Sequence, residues 1–184
     1  MMNKIQIYLI AGVFLFSLYT LPYIHFPPLV TAQTPAAPTP VDYHLPYPGI
    51  LPDHPLYSLK RFRDFLLITF NRHPLKKVEL YLLFSDKKIA MSSDLLDKRK
   101  FDLTVDTLRE SQSDLLKSAG VLLSSSQKNI LPEGLADKVE LAAKKHQEVI
   151  KNIFTAITDL KKREKINQAL QFNNQAISLI QSAK

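Results

Sequence analysis

The chain has 184 residues, no cysteine, no tryptophan, only four glycines and a formal net charge of +7. A composition that is 46% hydrophobic and 22% charged suits one globular domain with appendages. It excludes a disulfide framework, a thiolate metal site and a cysteine nucleophile, and so few glycines argue against a turn-rich β fold.

Met1 to Lys4 carry one positive charge, and Ile5 to Leu21 form an apolar run without a charged residue. Val30-Thr31-Ala32 then puts small residues three and one before a cut ahead of Gln33, the layout of a secretory signal peptide. Seventeen apolar residues also reach the lower limit for a membrane anchor, with Tyr19, Tyr23 and Phe26 at the interface. The small residues favour cleavage over retention, and either outcome exports the remainder. Residues 1–32 are therefore expected to be a signal or anchor, and nucleic acid is not expected as a partner.

Residues 33–54 read as a tether and turn. Seven of the twelve prolines fall between Pro35 and Pro55, a composition that favours an extended, polyproline-like spacer at about 3 Å per residue. Asp53-His54-Pro55 and His73-Pro74-Leu75 read as helix starts, with proline where its missing N–H costs nothing. Neither His54 nor His73 has a second ligand at helical spacing, so both read as punctuation.

From Pro55 to Lys184 the pattern is helical, and the expected fold is an all-α, up-and-down bundle of four or five helices. The first helix spans about Pro55–Asn71, with Leu56, Leu59, Phe62, Leu66 and Phe70 on one stripe taken as its core face. Arg63 lies near the centre of that stripe. It should either meet a carboxylate, Glu79 of the second helix being the first candidate, or snorkel to solvent over a packed stem. The second helix spans about Pro74–Lys98, with Leu75, Val78, Leu82, Ile89 and Leu96 on one face. The third spans about Phe101–Leu123 and carries a seam at Phe101, Val105, Leu108, Gln112, Leu115, Ala119 and Leu122, with Gln112 as a register device.

The fourth helix begins near Pro132, with Leu135, Val139, Ala142, His146, Val149, Ile153, Ala156 and Leu160 in its seam. Matching heptads suggest a coiled-coil-like antiparallel hairpin of the third and fourth helices. Lys161–Lys165 interrupts the pattern, and Ile166, Ala169, Asn173, Ala176, Ile180 and Ala183 resume it in a shifted phase. That means either a break with a fifth helix or a stutter in one long helix, the break being preferred.

Charge is concentrated in the first half of the helical region, with 11 Lys and Arg against 5 Asp and Glu between Lys60 and Lys100. Lys60, Arg61, Arg72, Lys76, Lys77, Lys87 and Lys88 are the candidate contacts for an anionic surface. No glycine-rich phosphate loop, nucleophile elbow, zinc helix or calcium loop is present, and no catalytic, cofactor or metal residue is assigned.

One stretch is more specific. Leu45-Pro-Tyr-Pro-Gly-Ile-Leu-Pro-Asp-His-Pro-Leu-Tyr-Ser-Leu-Lys-Arg61, with His73-Pro-Leu-Lys-Lys77 and the Glu79–Lys88 helix, resembles an uncharacterised bacterial family of exported or membrane-anchored helical domains. The resemblance runs from about Leu45 to Ser124. Where the family is expected to carry an arginine in the second helix, this chain reads Ser85-Asp-Lys-Lys-Ile-Ala90. The resemblance implies export and helices, and supplies no catalytic residue or cofactor.

The function expected from these readings is a non-enzymatic envelope protein, structural or protein-interacting, with an unknown envelope partner. The alternative is binding of anionic lipid or cell-wall polymer through the Lys60–Lys100 region, and an enzyme is the residual.

Overall fold

A computed structural model describes residues 40–184, which form one compact unit. The expected signal or anchor, and the tether as far as Thr39, lie outside the described residues. Among the described residues there are five helices and no strand: α1 Tyr57–Phe70, α2 Pro74–Asp97, α3 Phe101–Ser126, α4 Leu135–Ala156 and α5 Leu160–Ser182. None of them is long and apolar enough to cross a membrane.

Local chemistry sets the helix ends. Pro74 opens α2 as expected, and the left-handed Arg99 closes the α2–α3 turn, its neighbour Lys100 donating back to the Leu95 carbonyl. Gly134, at φ 78°, supplies the left-handed entry to α4, a conformation nearly free of cost only for glycine. The last break falls earlier than expected. Ile157 and Asp159 are extended, and the Asp159 carboxylate caps α5 by accepting from the Lys162 N–H. Lys161–Lys165 is thus the first turn of α5, where Lys162 and Lys165 pair with Asp102 and Asp106 of α3 at 2.9 and 2.8 Å.

Helices α2 to α5 run alternately up and down around one core. Around that ring α3 lies beside α2 and α5, while α4 lies beside α5 and α2. The antiparallel hairpins are α2–α3 and α4–α5, so α3 and α4 meet mainly across the core rather than as the expected pair. The seams of α3 and α5 are buried at every expected position except Phe101. The seam expected for α4 has Leu135 only half-buried at its start and Ala156 and Leu160 exposed at its end.

The core comes in two apolar blocks. One gathers Val78, Leu82, Leu115, Leu122, Val139 and Ile180, and the other Ile89, Val105, Leu108, Ile150, Ile153 and Ile166. Between them every helix of the bundle supplies a polar side chain: Ser85 and Asp86, Ser111 and Gln112, His146, and Asn173.

Helix α1 stands apart. It packs on α2 alone and contains no buried residue. Its inward side chains are Tyr57, Lys60, Asp64 and Ile68, whereas Leu56, Leu59, Phe62 and Phe70 are 54–77% exposed. Of the stripe expected to face the core, only Leu66 is half-buried and the other four residues face out. Spacing defines a stripe, but which face is covered depends on what the neighbouring segments offer.

Candidate functional site

Two places concentrate chemistry. The first is the buried polar layer. His146 Nε2 donates to Asp86 Oδ1 at 2.9 Å, and its Nδ1 accepts from Gln112 Nε2 at 3.3 Å. Gln112 also donates to Ser111 Oγ and accepts at Oε1 from Asn173 Nδ2 at 3.0 Å. Asn173 gives its second N–H to the Ala143 carbonyl, leaving its Oδ1 without a partner. Ser85 and Ser111 exchange hydroxyl-to-carbonyl bonds at 2.8 Å, joining α2 to α3.

An ordered strap closes this layer. Tyr43 donates to the second Asp86 oxygen at 2.6 Å, and the Val41 N–H donates to Glu148. Burial, then the bond to Asp86, pushes the Tyr43 phenol above its usual range. Lys145 and the Val41 N–H hold the Glu148 carboxyl below its own. Residues 41–54, read as tether and turn, thus lie against the bundle. Asp86 and His146 are almost wholly enclosed, and the pair ties α2 to α4.

The second place is α1 and the turn before it. The Lys60 ammonium donates to the Pro48 and Ile50 carbonyls at 3.1 and 3.2 Å and sits 3.6 Å from Met91 Sδ. Partial burial lowers its pKa to about 8. Asp53 does not cap α1; the residue before that helix is Leu56, without a side-chain cap. Asp53 instead pairs with Lys100 at 2.6 Å, which holds its carboxyl below the usual range. The proline motif therefore clamps the chain onto the α2–α3 turn. Beneath α1 lies a cleft of about 180 Å³ between Tyr57, Lys60 and Asp64 on one side and Phe84, Lys88 and Met91 on the other.

The candidate basic surface is divided by this geometry. Lys60 is tied to carbonyls, and Lys76 pairs with Glu79 at 2.8 Å. Lys88 is half enclosed between Asp114 at 2.8 Å and Glu110 at 3.2 Å. Burial would lower the Lys88 pKa, but the two carboxylates outweigh it and raise it. Arg61, Arg72, Lys77 and Lys87 have no ion pair among the described residues. Arg63 does not meet Glu79. It pairs with its neighbour Asp64 at 2.6 Å and remains 59% exposed, because the face it shares is turned to solvent.

Sequence reasoning missed Asp86 and the layer as a whole. The signal was there: Gln112, His146 and Asn173 each interrupt an apolar seam, with apolar residues three or four positions away on both sides. It also missed the strap and the outward sense of α1.

No curated protein and no solved structure matches the chain. A family model described as "Domain of unknown function (DUF5667)" matches residues 49–160, from the glycine of the proline motif to the start of α5. That span is more than half of the sequence, and it contains α1, its clamp and three of the four bundle helices; the chain belongs to this family of domains of unknown function, DUF5667.

Proposed function

We propose that the protein is an exported, non-enzymatic module of the cell envelope, structural or interacting, that works through contacts of its helical surface. The outward face of α1 carries this reading. Leu59, Phe62 and Phe70 of this short helix, with Leu56 just before it, are each more than half exposed and mark an interaction site rather than ordinary surface. Leaving each in water forgoes about 1.5–3 kcal/mol of burial. The titratable groups support the same reading. His146 and Asp86 are spent on each other inside the bundle. In the cleft under α1, Lys88 and Asp114 are paired and Lys60 is held by carbonyls. Export rests on the apolar, proline-rich N-terminal sequence.

A photoreactive residue at Leu59 of the full chain, in intact cells, tests this. Adducts with an envelope component are expected there, well above those from Leu141, a 40% exposed leucine of α4. Equal labelling at the two positions would count against the reading.

A further inference from the structure

Resting on the reading that α1 is the contact surface, we infer that its occupant is an anionic lipid bilayer. Leu59, Phe62 and Phe70 would enter the boundary between headgroups and acyl chains, with Arg63 and Arg72 on lipid phosphates. A helix lying in that plane buries an apolar face to about 5–10 Å and keeps basic side chains at headgroup level.

The charge around α1 fits. Between Tyr57 and His73 stand Lys60, Arg61, Arg63 and Arg72 against the single acid Asp64. Asp64 is mostly covered and already bound to Arg63, while Arg63 and Arg72 are exposed. In sequence Arg63 follows Phe62 and Arg72 lies two residues after Phe70, aromatic side chains that are 58% and 77% exposed.

The position of Arg63 separates a bilayer from a second copy of the chain. It lies at the midpoint of α1, within the apolar arc. A two-fold partner seated on that arc would bring two guanidiniums together near the symmetry axis, away from water. Burying two guanidiniums there, each with only its own Asp64 as counter-ion, carries a desolvation penalty that the Coulomb attraction does not readily repay. At a bilayer the same side chain extends along its stem to the phosphates, as long basic side chains do.

The chain outside the described residues is compatible with this placement. The apolar run ends at Leu21, and residues 22–40 could reach about 60 Å if fully extended at the polyproline rise. With that run retained as an anchor, α1 would meet the lipid surface at high local concentration.

Because the chain contains no tryptophan, Phe62→Trp in the full chain makes a single reporter on this face, and Leu141→Trp a matching one on α4. Each is mixed with phosphatidylglycerol vesicles carrying brominated acyl chains. The reading is local, so insertion of the N-terminal run does not mimic docking of α1.

The expected result is a blue shift and quenching for Phe62→Trp and neither for Leu141→Trp. Arg63→Gln and Arg72→Gln should each weaken the docking about five-fold, and phosphatidylcholine vesicles should give little quenching. An unchanged Phe62→Trp spectrum with the chain bound to vesicles would overturn the inference. So would a blue shift that depends on protein concentration without lipid, which would assign the face to a second copy. In either case protein adducts from the Leu59 photoprobe would keep the surface-contact reading, and their absence would remove it as well.

Discussion

In the bundle, polar side chains are turned inward, whereas in α1 apolar side chains are turned outward. The inward groups are nearly all satisfied: His146, Gln112, Asn173 and Asp86 bond to one another, and the strap supplies Tyr43. The outward groups have no partner among the described residues. A buried polar layer costs desolvation and returns a unique alignment, because each amide and ring has a defined mate on another helix. An exposed apolar stripe contributes nothing to folding and becomes favourable only on contact. The two regions thus separate duties, with the layer fixing how four helices align and α1 presenting a surface.

Substitutions should respect that division. The largest loss is expected at His146, which is wholly buried. His146→Ala opens a cavity and leaves Asp86 Oδ1 without its donor, and denaturant unfolding should show about 3–5 kcal/mol less stability. Asn173→Leu removes a side chain with one unpartnered oxygen but leaves Gln112 Oε1 and the Ala143 carbonyl without their donor. The loss should be about 1–3 kcal/mol.

Tyr43→Phe should cost about 1–2 kcal/mol, near the lower end for a bond to a charged acceptor. It also carries a pH signature. The phenol pKa is raised in the fold, so its contribution is complete below the ordinary value of 10.0 and is lost as pH rises beyond it. Unfolding measured from pH 9 to 11 should show a shallower alkaline decline in the variant.

Lys60 titrates in the opposite sense. Its pKa falls from 10.5 to about 8 in the fold, so between those values the folded state holds fewer protons and stability rises with pH. Relative to Lys60→Met, the wild-type chain should gain stability across that window. The gain will be small because the ammonium is only half covered.

The smallest effect is expected on α1. Phe62→Ser with Phe70→Ser should change stability by no more than about 0.5 kcal/mol, since neither ring is packed. A loss of several kcal/mol would mean that α1 is part of the core, and the contrast between the two regions would collapse.

Much of the bundle was legible in the sequence because its cause is local. Most residues that heptad spacing named in α3, α4 and α5 are buried, although it passed over buried neighbours such as Thr104, Ser111, Ala143 and Ile150, and Pro74 marked the start of α2. Pairings over long separations were not legible. Lys88 and Asp114 are 26 positions apart and Lys100 and Asp53 are 47, so counting charges suggested a basic face that the fold partly neutralises. The break before α5 was placed at the basic run, although Asp159, a good helix-capping residue, stood two positions earlier. The stripe on α1 was read correctly as a stripe and given the wrong side. Its polar face is held inward by Lys60 and the proline turn, an arrangement that periodicity does not encode.

Native-state hydrogen exchange on the full chain tests the contrast most directly. Amides flanking Ser85, Gln112, His146 and Asn173 should exchange only through global unfolding. Those of Tyr57–Phe70 should open locally at a much lower free energy. Exchange of α1 together with the bundle, at the same free energy and with the same denaturant dependence, would contradict the account.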